Sequence, residues 1–406
     1  MSERGTSETV EQRIKLLELS STDFPFQTFL AGLLDALKRS GYDVTLACSD
    51  GPYLPGFRKA GYKVKVLSIS PDLNLFHHLV SLVQVYRFIK KEKFDIVHTH
   101  TPVAGFIGRL AAALAGTPFI VNTVHGFFFH EATHPVFRRI MVALERFAGR
   151  FTHLTFSVSS EDVETAVRER ICPRDRIIAI GNGVDLQKFD LSLAEQARRR
   201  IREEFGIPQD APVVGVMGRI VKGKGVVEFV QAMPVVLKAR PDARFLIVGD
   251  ALPSDNDSVK DQIIELVGSL GIQESVIFTG MRMDVPELLA AMDLFVLPSY
   301  REGLPVVVLE AMAMAKPVVS TWIRGCREVV VDGETGILVQ PRDVPALADA
   351  IIRVLSDKDM AHRMGRSGRK RIEHQFELKR IVRKQLDALA NLIASTRRIP
   401  SSVGGC

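Results

Sequence analysis

Two glutamates, Glu302 and Glu310, stand eight positions apart in the stretch SYREGLPVVVLEAMAMAKP, residues 299–317. The first lies in a turn with Gly303 and Pro305, and the second lies inside an apolar run. A strand-like LFVL precedes them and ends at Pro298. Pro305 suits the first turn of a helix, where a missing N–H costs little. The start of such a helix carries free backbone N–H groups and a partial positive charge, which favours phosphate. Glu302 precedes that point and Glu310 lies one to two turns beyond it. At ~1.5 Å of rise per residue the two carboxylates stand about 10 Å apart. That is the span of a diphosphate with a sugar ring on one side and a ribose on the other. One acid can accept hydrogen bonds from sugar hydroxyls and the other from ribose hydroxyls, so the spacing points to a nucleotide sugar. The bland alternative is one solvated loop acid and one helical acid paired with Lys or Arg; the Gly and Pro placement favours the ligand.

Other residues able to do chemistry are weaker signals. His98 and His100 in DIVHTH have a spacing that could serve a metal. No third ligand is evident nearby, so they are expected at the rim of a ligand cleft. The triplet DND at 255–257 raises a metal-dependent transferase as a rival, but it sits in a Ser/Pro/Asp-rich loop where solvated acids are the ordinary expectation. Cys48, Cys172, Cys326 and Cys406 are widely spaced, which gives no metal pattern and fits reduced thiols.

Elements must position these groups. The chain has 406 residues, 46% hydrophobic and 25% charged, which is globular and long enough for two domains. In the first half IKLLELS, DVTLACS, KVKVLSI, DIVHTH, PFIVNTVHG, LTFSVS and RIIAIGNG read as buried parallel strands. In the second half PVVGVMGRI, RFLIVGD, SVIFTGM, LFVLPS, PVVST and GILVQP start a new series. Helical patterns separate most of them. Two strand–helix series predict two doubly wound parallel sheets, with ligands beyond the carboxyl ends of the strands. A charged helix between turn and Pro-flanked segments at 182–212 marks the boundary. The expected domains are 1–190 and 191–375. The segment 376–406 is expected to cross back as a helix and end in a flexible tail.

With these strings in place the chain resembles retaining glycosyltransferases of family four, which have the GT-B fold. PSYREGLPVVVLEAMAMAKPVV resembles the glutamate-x7-glutamate signature. GRIVKGKG (218–225), FLIVGD (245–250), DVPELLAAMDLFVLPS (284–299) and GCREVVVDGETGILVQP (325–341) follow in the family's order. FDIVHTHTPVAGFIGRLAAALAG and NTVHGFFFHE are similar to the branch that builds capsular and other surface polysaccharides. The resemblance implies an α/β, GT-B architecture of two Rossmann-like doubly wound parallel-sheet domains facing a central cleft. It implies that Arg219 and Lys224 grip the donor diphosphate and that His125 hydrogen-bonds a sugar hydroxyl or the reacting centre. By the same analogy Glu302 faces sugar hydroxyls and Glu310 the ribose. Gly303, Leu304 and Val306 offer backbone N–H groups, and the segment Thr279 to Arg282 lies near the base. The implied reaction is transfer with retention from a nucleotide-diphosphate sugar, UDP-linked and with an N-acetylhexosamine among the candidates. The implied acceptor is an undecaprenyl-diphosphate-linked saccharide. No metal and no other cofactor are expected, because protein cations take the charge. A soluble acceptor, or a non-catalytic nucleotide-sugar-binding protein, stays open as an alternative.

Some positions depart from that pattern. SSTDFPFQ (20–27) replaces a Gly-Gly turn, and Phe24 and Phe26 are expected to narrow the site there. Ala251 follows Asp250 where a glycine is more usual, and Ala315 replaces a common glycine with an effect expected on packing alone. Segment 134–151 is amphipathic, with Phe137, Ile140, Met141, Leu144 and Phe147 at helical spacing and Arg139, Arg146 and Arg150 on another face. It reads either as an ordinary helix packed on its sheet or as a contact with anionic lipid. The net charge of +6 favours acidic partners. Nucleic acid is not among the expected partners, because no motif and no aromatic interleaving of basic residues supports it. The polar N-terminus, MSERGTSETVEQ, lacks the order of a secretory signal, so a cytoplasmic location is expected, peripheral at the inner face of the membrane.

Overall fold

The structure, a computed structural model, describes residues 13–69, 75–129, 133–251, 255 and 257–397. All thirteen strand-like strings form strands. Seven build one sheet: β1 (Lys15–Leu19), β2 (Asp43–Cys48), β3 (Lys63–Val66), β4 (Ile96–Thr99), β5 (Phe119–Val124), β6 (Leu154–Ser157) and β7 (Ile177–Ala179). Six build the other: β8 (Val213–Met217), β9 (Arg244–Val248), β10 (Val276–Gly280), β11 (Leu294–Leu297), β12 (Val318–Thr321) and β13 (Gly336–Val339). Every named pairing is parallel.

The strand orders are β3-β2-β1-β4-β5-β6-β7 and β10-β9-β8-β11-β12-β13. Each sheet reverses direction once, between β1 and β4 in the first and between β8 and β11 in the second. Loops that leave neighbouring strands at such a switch point diverge and open a crevice above the carboxyl ends. The sequence dictates these strands because their side chains are apolar on both faces, as a sheet covered by helices on each side demands. Leu16, Leu17 and Leu19 of β1 and Val213 and Val214 of β8 are fully buried. Each such side chain contributes roughly 2 kcal/mol through removal from water.

Two compact units divide the described chain. One holds the chain up to Ser157, Asp162–Ile180 and the residues from Lys384 onward; the other holds Val158–Glu161 and Gly181–Arg383. The change at Ile180/Gly181 falls ahead of the boundary placed at 190. The helix Leu378–Arg397 is shared between the units, and Lys384 donates to the Ala179 carbonyl at the end of β7.

Two local expectations are corrected. Phe26 does not narrow a site: it is fully buried in the short helix Phe24–Thr28 and meets Phe57 edge-on at 6.2 Å, while Phe24 remains exposed. Ala315 is more than a packing change. It sits one residue beyond the helix Val306–Ala313 and its Met314 cap, with φ +52°, a left-handed conformation that glycine adopts without strain. Its carbonyl also lies so close to Gly365 that a Cβ there would meet it at 2.0 Å. The tail 398–406, including Cys406, lies outside the described residues, as do His130 and Glu131 of the NTVHGFFFHE string.

Candidate active site

The switch point of the second sheet gathers most of the expected site. β8 ends at Met217, and the chain then runs through Gly218 and Arg219 to a single 3-10 turn, Lys222–Lys224. Gly225 has φ +68°, and a Cβ there would strike the Pro298 carbonyl at 2.0 Å, so only glycine lets this loop lie against the end of β11. The Tyr300 amide donates to the Gly223 carbonyl at 2.9 Å, locking the two loops together. Tyr300 also donates its hydroxyl to Glu228, and the Arg342 guanidinium covers its ring at 4.6 Å. Burial and that hydrogen bond push the Tyr300 phenol up to about 12, so it stays protonated.

Within this frame Lys224 Nζ lies 2.6 Å from Glu302 Oε1. Arg219 lies 2.6 Å from Asp255 Oδ1, with its side chain 48% exposed. Both cations therefore carry carboxylate partners. The acid of DND is a counter-ion of Arg219, and Lys222 donates its amide to the Asp257 carbonyl at 3.0 Å. Gly325 approaches Gly303 so closely that a Cβ would meet its carbonyl at 2.2 Å, and Asn182 Nδ2 donates to the Leu304 carbonyl at 2.7 Å. These contacts hold the 302–305 turn at the mouth of the helix Val306–Ala313. Pro305 is its N-cap, and no side chain caps its first N–H groups. An uncapped start keeps those donors and the dipole for a ligand.

Glu310 lies one turn inside that helix. Burial pushes its carboxyl up to about 7, and Lys188 opposes the shift. Among the described residues no side-chain or backbone donor is found for this carboxylate. Thr279, near the carboxyl end of β10, donates its hydroxyl to the Gly280 carbonyl at 3.0 Å. The Arg282 guanidinium is committed to Asp284 at 2.6 Å and Glu204 at 2.5 Å, and it lies over Phe205. β10 is the edge strand, on the far side of β9 from β8.

The first sheet has its own polar cluster at its own switch point. Glu18 on β1 pairs in register with His98 on β4. With a side-chain period of two, His100, Thr123 and His125 fall on the same face. His98 Nδ1 is 3.1 Å from Glu18 Oε1, and His98 Nε2 is 2.7 Å from Thr123 Oγ1. His100 Nε2 is 2.6 Å from Glu18 Oε2, and His100 Nδ1 is 3.1 Å from His125 Nε2. Glu18, His98 and His100 are fully buried. This corrects the expectation of a rim position for His98 and His100. It also supplies the third ligand-type side chain whose absence argued against a metal there. Burial alone would raise the Glu18 carboxyl, but the charge and N–H groups of both histidines outweigh it and hold the group down to about 2. Burial lowers His100 to about 4, and it also lowers His125 well below the ordinary imidazole range. His125 is half-buried, with Phe29 against its other side at 4.7 Å.

Beside His100, Thr101 has φ +62° and ψ 151°, a conformation close to glycine's own territory. Ser21, in the loop after β1, pins it: Oγ to Oγ1 is 2.9 Å, and the Ser21 amide donates to Oγ1 at 3.2 Å. Glu18, Thr101 and Asn182 were not singled out from the sequence. One signal existed for Glu18, since KLLEL places an acid inside a strand that is otherwise apolar. Asn182 and the pairing of Asp255 depend on contacts between segments far apart in the chain.

Comparisons with known proteins bear on the family and the fold. A family model described as "Glycosyltransferase Family 4" matches residues 27–188, and one described as "Glycosyl transferases group 1" matches 197–371. The UDP-Gal:alpha-D-GlcNAc-diphosphoundecaprenol alpha-1,3-galactosyltransferase of Escherichia coli is 30% identical, over 89% of this chain and 92% of that protein. The capsular polysaccharide biosynthesis glycosyltransferase CapM of Staphylococcus aureus is 28% identical, over 89% and 93%. Among solved structures, Anabaena HepE in complex with UDP-glucose superposes with a TM-score of 0.80 at 24% identity, over 93% of this chain and all of that one. WaaG, a glycosyltransferase of lipopolysaccharide biosynthesis, gives 0.74 at 18% identity, over 92% and 99%. These two establish the GT-B fold.

Proposed function

Because the chain belongs to glycosyltransferase family 4, we propose that it moves a sugar, with retention of anomeric configuration, from a UDP-sugar to an undecaprenyl-diphosphate-linked saccharide in surface polysaccharide synthesis. One observation carries the donor assignment. An uncapped helix start at Val306 lies between a carboxylate held by Lys224 and a half-buried carboxylate, Glu310, without a donor of its own among the described residues. A diphosphate at that start replaces Asp255 at Arg219 and draws Lys224 to itself. Glu302 is then released to accept from sugar hydroxyls. Glu310 takes the ribose diol, whose two O–H groups supply the donors it lacks. Gly303, Leu304 and Val306 add backbone N–H groups. With the Arg282 guanidinium held by two acids, the Thr279–Arg282 segment meets the base through its backbone.

In the reaction the acceptor attacks from the face the leaving group departs from, and the departing diphosphate takes the acceptor proton. Charge grows on the diphosphate, and Arg219, Lys224 and the helix start stabilise it. No dedicated nucleophile and no metal enter this scheme. His125 hydrogen-bonds a substrate hydroxyl.

A lipid-linked acceptor calls for a surface that meets the membrane. The helix Pro135–Gly149 exposes Val136, Ile140, Leu144 and Phe147 along one stripe, with exposed Arg139 and Arg146 beside it and Arg150 just past its end. Apolar side chains beside arginines suit an anionic bilayer surface. Among the described residues no helix is long and apolar enough to cross a membrane.

The test is a thermal-shift screen of UDP-, GDP- and TDP-sugars in EDTA, followed by donor-dependent UDP release with undecaprenyl-diphosphate-linked N-acetylglucosamine. One UDP-sugar is expected to raise the melting temperature and to turn over with that acceptor. Binding without turnover on lipid-linked or soluble acceptors would overturn the catalytic reading. Loss of turnover in EDTA, restored by a divalent cation, would overturn the metal-free scheme. Equal co-sedimentation with neutral and anionic vesicles at low salt would overturn the electrostatic membrane contact.

A further inference from the structure

The hydrogen bonds around Glu18 leave little freedom in where the protons sit. An ionised carboxylate only accepts, so His98 donates from Nδ1 and His100 donates from Nε2. His98 is then an acceptor at Nε2, which the Thr123 hydroxyl satisfies. His100, neutral in this buried place, is an acceptor at Nδ1. Its neighbour at 3.1 Å is His125 Nε2, which must therefore carry the proton and donate. The remaining nitrogen, His125 Nδ1, is a bare lone pair without a partner among the described residues.

We propose that Glu18, acting through His100, holds His125 as its Nε2–H tautomer, so that Nδ1 accepts a hydrogen bond from a hydroxyl of the bound substrate. Glu18 and His100 are positioning residues, since they act on the substrate only through the His125 ring. Their contribution is direction: His125 accepts at Nδ1 and cannot donate there. Such a ring selects a hydroxyl over a carbonyl or ether oxygen at the same point. It also opposes an anion, which needs a donor. The surroundings fit a small neutral polar group. His125 lines a cavity of about 40 Å³ with Thr101, Asn122, Thr123 and Phe127, and the two charged groups that also line it, Arg109 and Glu145, are paired with each other at 2.8 Å. Space of that size admits a hydroxyl or one or two waters.

The same three buried side chains could be taken for a metal site, since their ligand atoms lie within 4.8 Å of one another. The contacts of 2.6 and 3.1 Å favour hydrogen bonds. An ion there would have to displace the protons at His98 Nδ1 and His100 Nε2 and the hydrogen bonds that they make to Glu18. Every ring nitrogen of His98 and His100 already has a partner.

The tautomer assignment stands on the hydrogen-bond geometry with Glu18 ionised and His100 neutral, whereas its use by substrate rests on the reading of His125 as a site residue. The two are separated by experiment. Full-length protein labelled with 15N-histidine is recorded by long-range 1H–15N correlation, and His125 is assigned from the signal lost in His125→Gln. At pH 7.5 the expected pattern is a protonated Nε2 and a bare Nδ1 for His125. In His100→Leu the two His125 nitrogens are expected to move toward a common averaged shift. In His100→Asn, whose side-chain oxygen replaces Nδ1 as acceptor, the pattern is expected to persist. If the Leu variant fails to fold, the wild-type and Asn spectra still decide. A proton on His125 Nδ1, averaged nitrogens in the wild type, or stoichiometric zinc in the purified protein would overturn the relay. Substrate use is read separately by adding each UDP-sugar in turn. A shift of the His125 Nδ1 signal of several ppm that UDP alone does not produce supports contact with the sugar. A correct tautomer with no sugar-dependent shift overturns His125 as a site residue and leaves the relay standing.

Discussion

The two switch points solve the same problem in opposite ways. At β1/β4 the polar side chains satisfy one another. Glu18, His98, His100 and Thr123 close a buried network, and one lone pair, on His125, is left over. At β8/β11 the charges stand in pairs that a ligand can exchange: Lys224 with Glu302 and Arg219 with Asp255. Exposed or partly exposed pairs of this kind are worth only about 0–1 kcal/mol, while removing one member of a buried charged network costs about 3–5 kcal/mol. The first region is thus a fixed template. The second, on the proposed function, is a charge reservoir whose carboxylate partners a diphosphate would replace at little expense. Both lie at or near the carboxyl ends of parallel strands, and they differ in burial and in the groups that pair.

The contrast can be broken at either end. Glu18→Ala strips two buried imidazoles of their acceptor, and a stability loss of about 4 kcal/mol is expected in urea denaturation. A loss below about 1 kcal/mol would mean that the network behaves like the exposed pairs. Arg219→Ala is expected to lower turnover about 100-fold, near 2.7 kcal/mol, while donor affinity falls less than about tenfold, because charge grows on the diphosphate only as the bond breaks. Equal losses in kcat and affinity would assign Arg219 to ground-state binding.

Glu310 sharpens the contrast through pH. Its folded carboxyl is raised from 4.5 to about 7, so the folded state holds the proton more tightly than the unfolded chain. That contribution is fully present below about pH 4.5 and is lost as pH rises through about 7. Glu310→Gln is therefore expected to match wild type near pH 7 less well than at pH 4.5 and to be about 2 kcal/mol more stable at pH 8. The same variant is expected to bind donor more weakly. Melting temperatures that differ equally at both ends of the pH range would remove the reading of Glu310 as a raised carboxyl. The smallest change is Ala315→Gly, expected to stabilise by about 0.5–1 kcal/mol through relief of the left-handed conformation. No gain would mean that contact with Gly365 matters more than the backbone angle.

Much of the fold was legible because buried parallel strands are written as short β-branched or Leu-rich runs, and none of the thirteen was missed. The Glu302–Glu310 pair was legible because turn chemistry, an apolar helix and both acids are contiguous. The histidine network was not. Glu18 and His100 are 82 residues apart, and only the β1–β4 pairing brings them together. His98 and His100 show their spacing in the sequence but not their depth, hence the mistaken rim. Phe26 was misplaced because an aromatic in a loop-like string gives no sign of which way it turns. The conformations of Thr101 and Ala315 are backbone facts forced by neighbours, and the alternative partners of Arg219 and Lys224 are visible only once the loops are in place.

The central claim is that a diphosphate seats at the start of the Val306–Ala313 helix against Lys224. Titration calorimetry of the full chain with UDP and with UMP, in EDTA and at two salt concentrations, tests it most directly. Wild type is expected to bind UDP at least tenfold more tightly than UMP, with the preference shrinking as salt rises. In Lys224→Ala that preference is expected to collapse to about threefold or less. Equal binding of UDP and UMP by wild type, or an unchanged preference in Lys224→Ala, would contradict it.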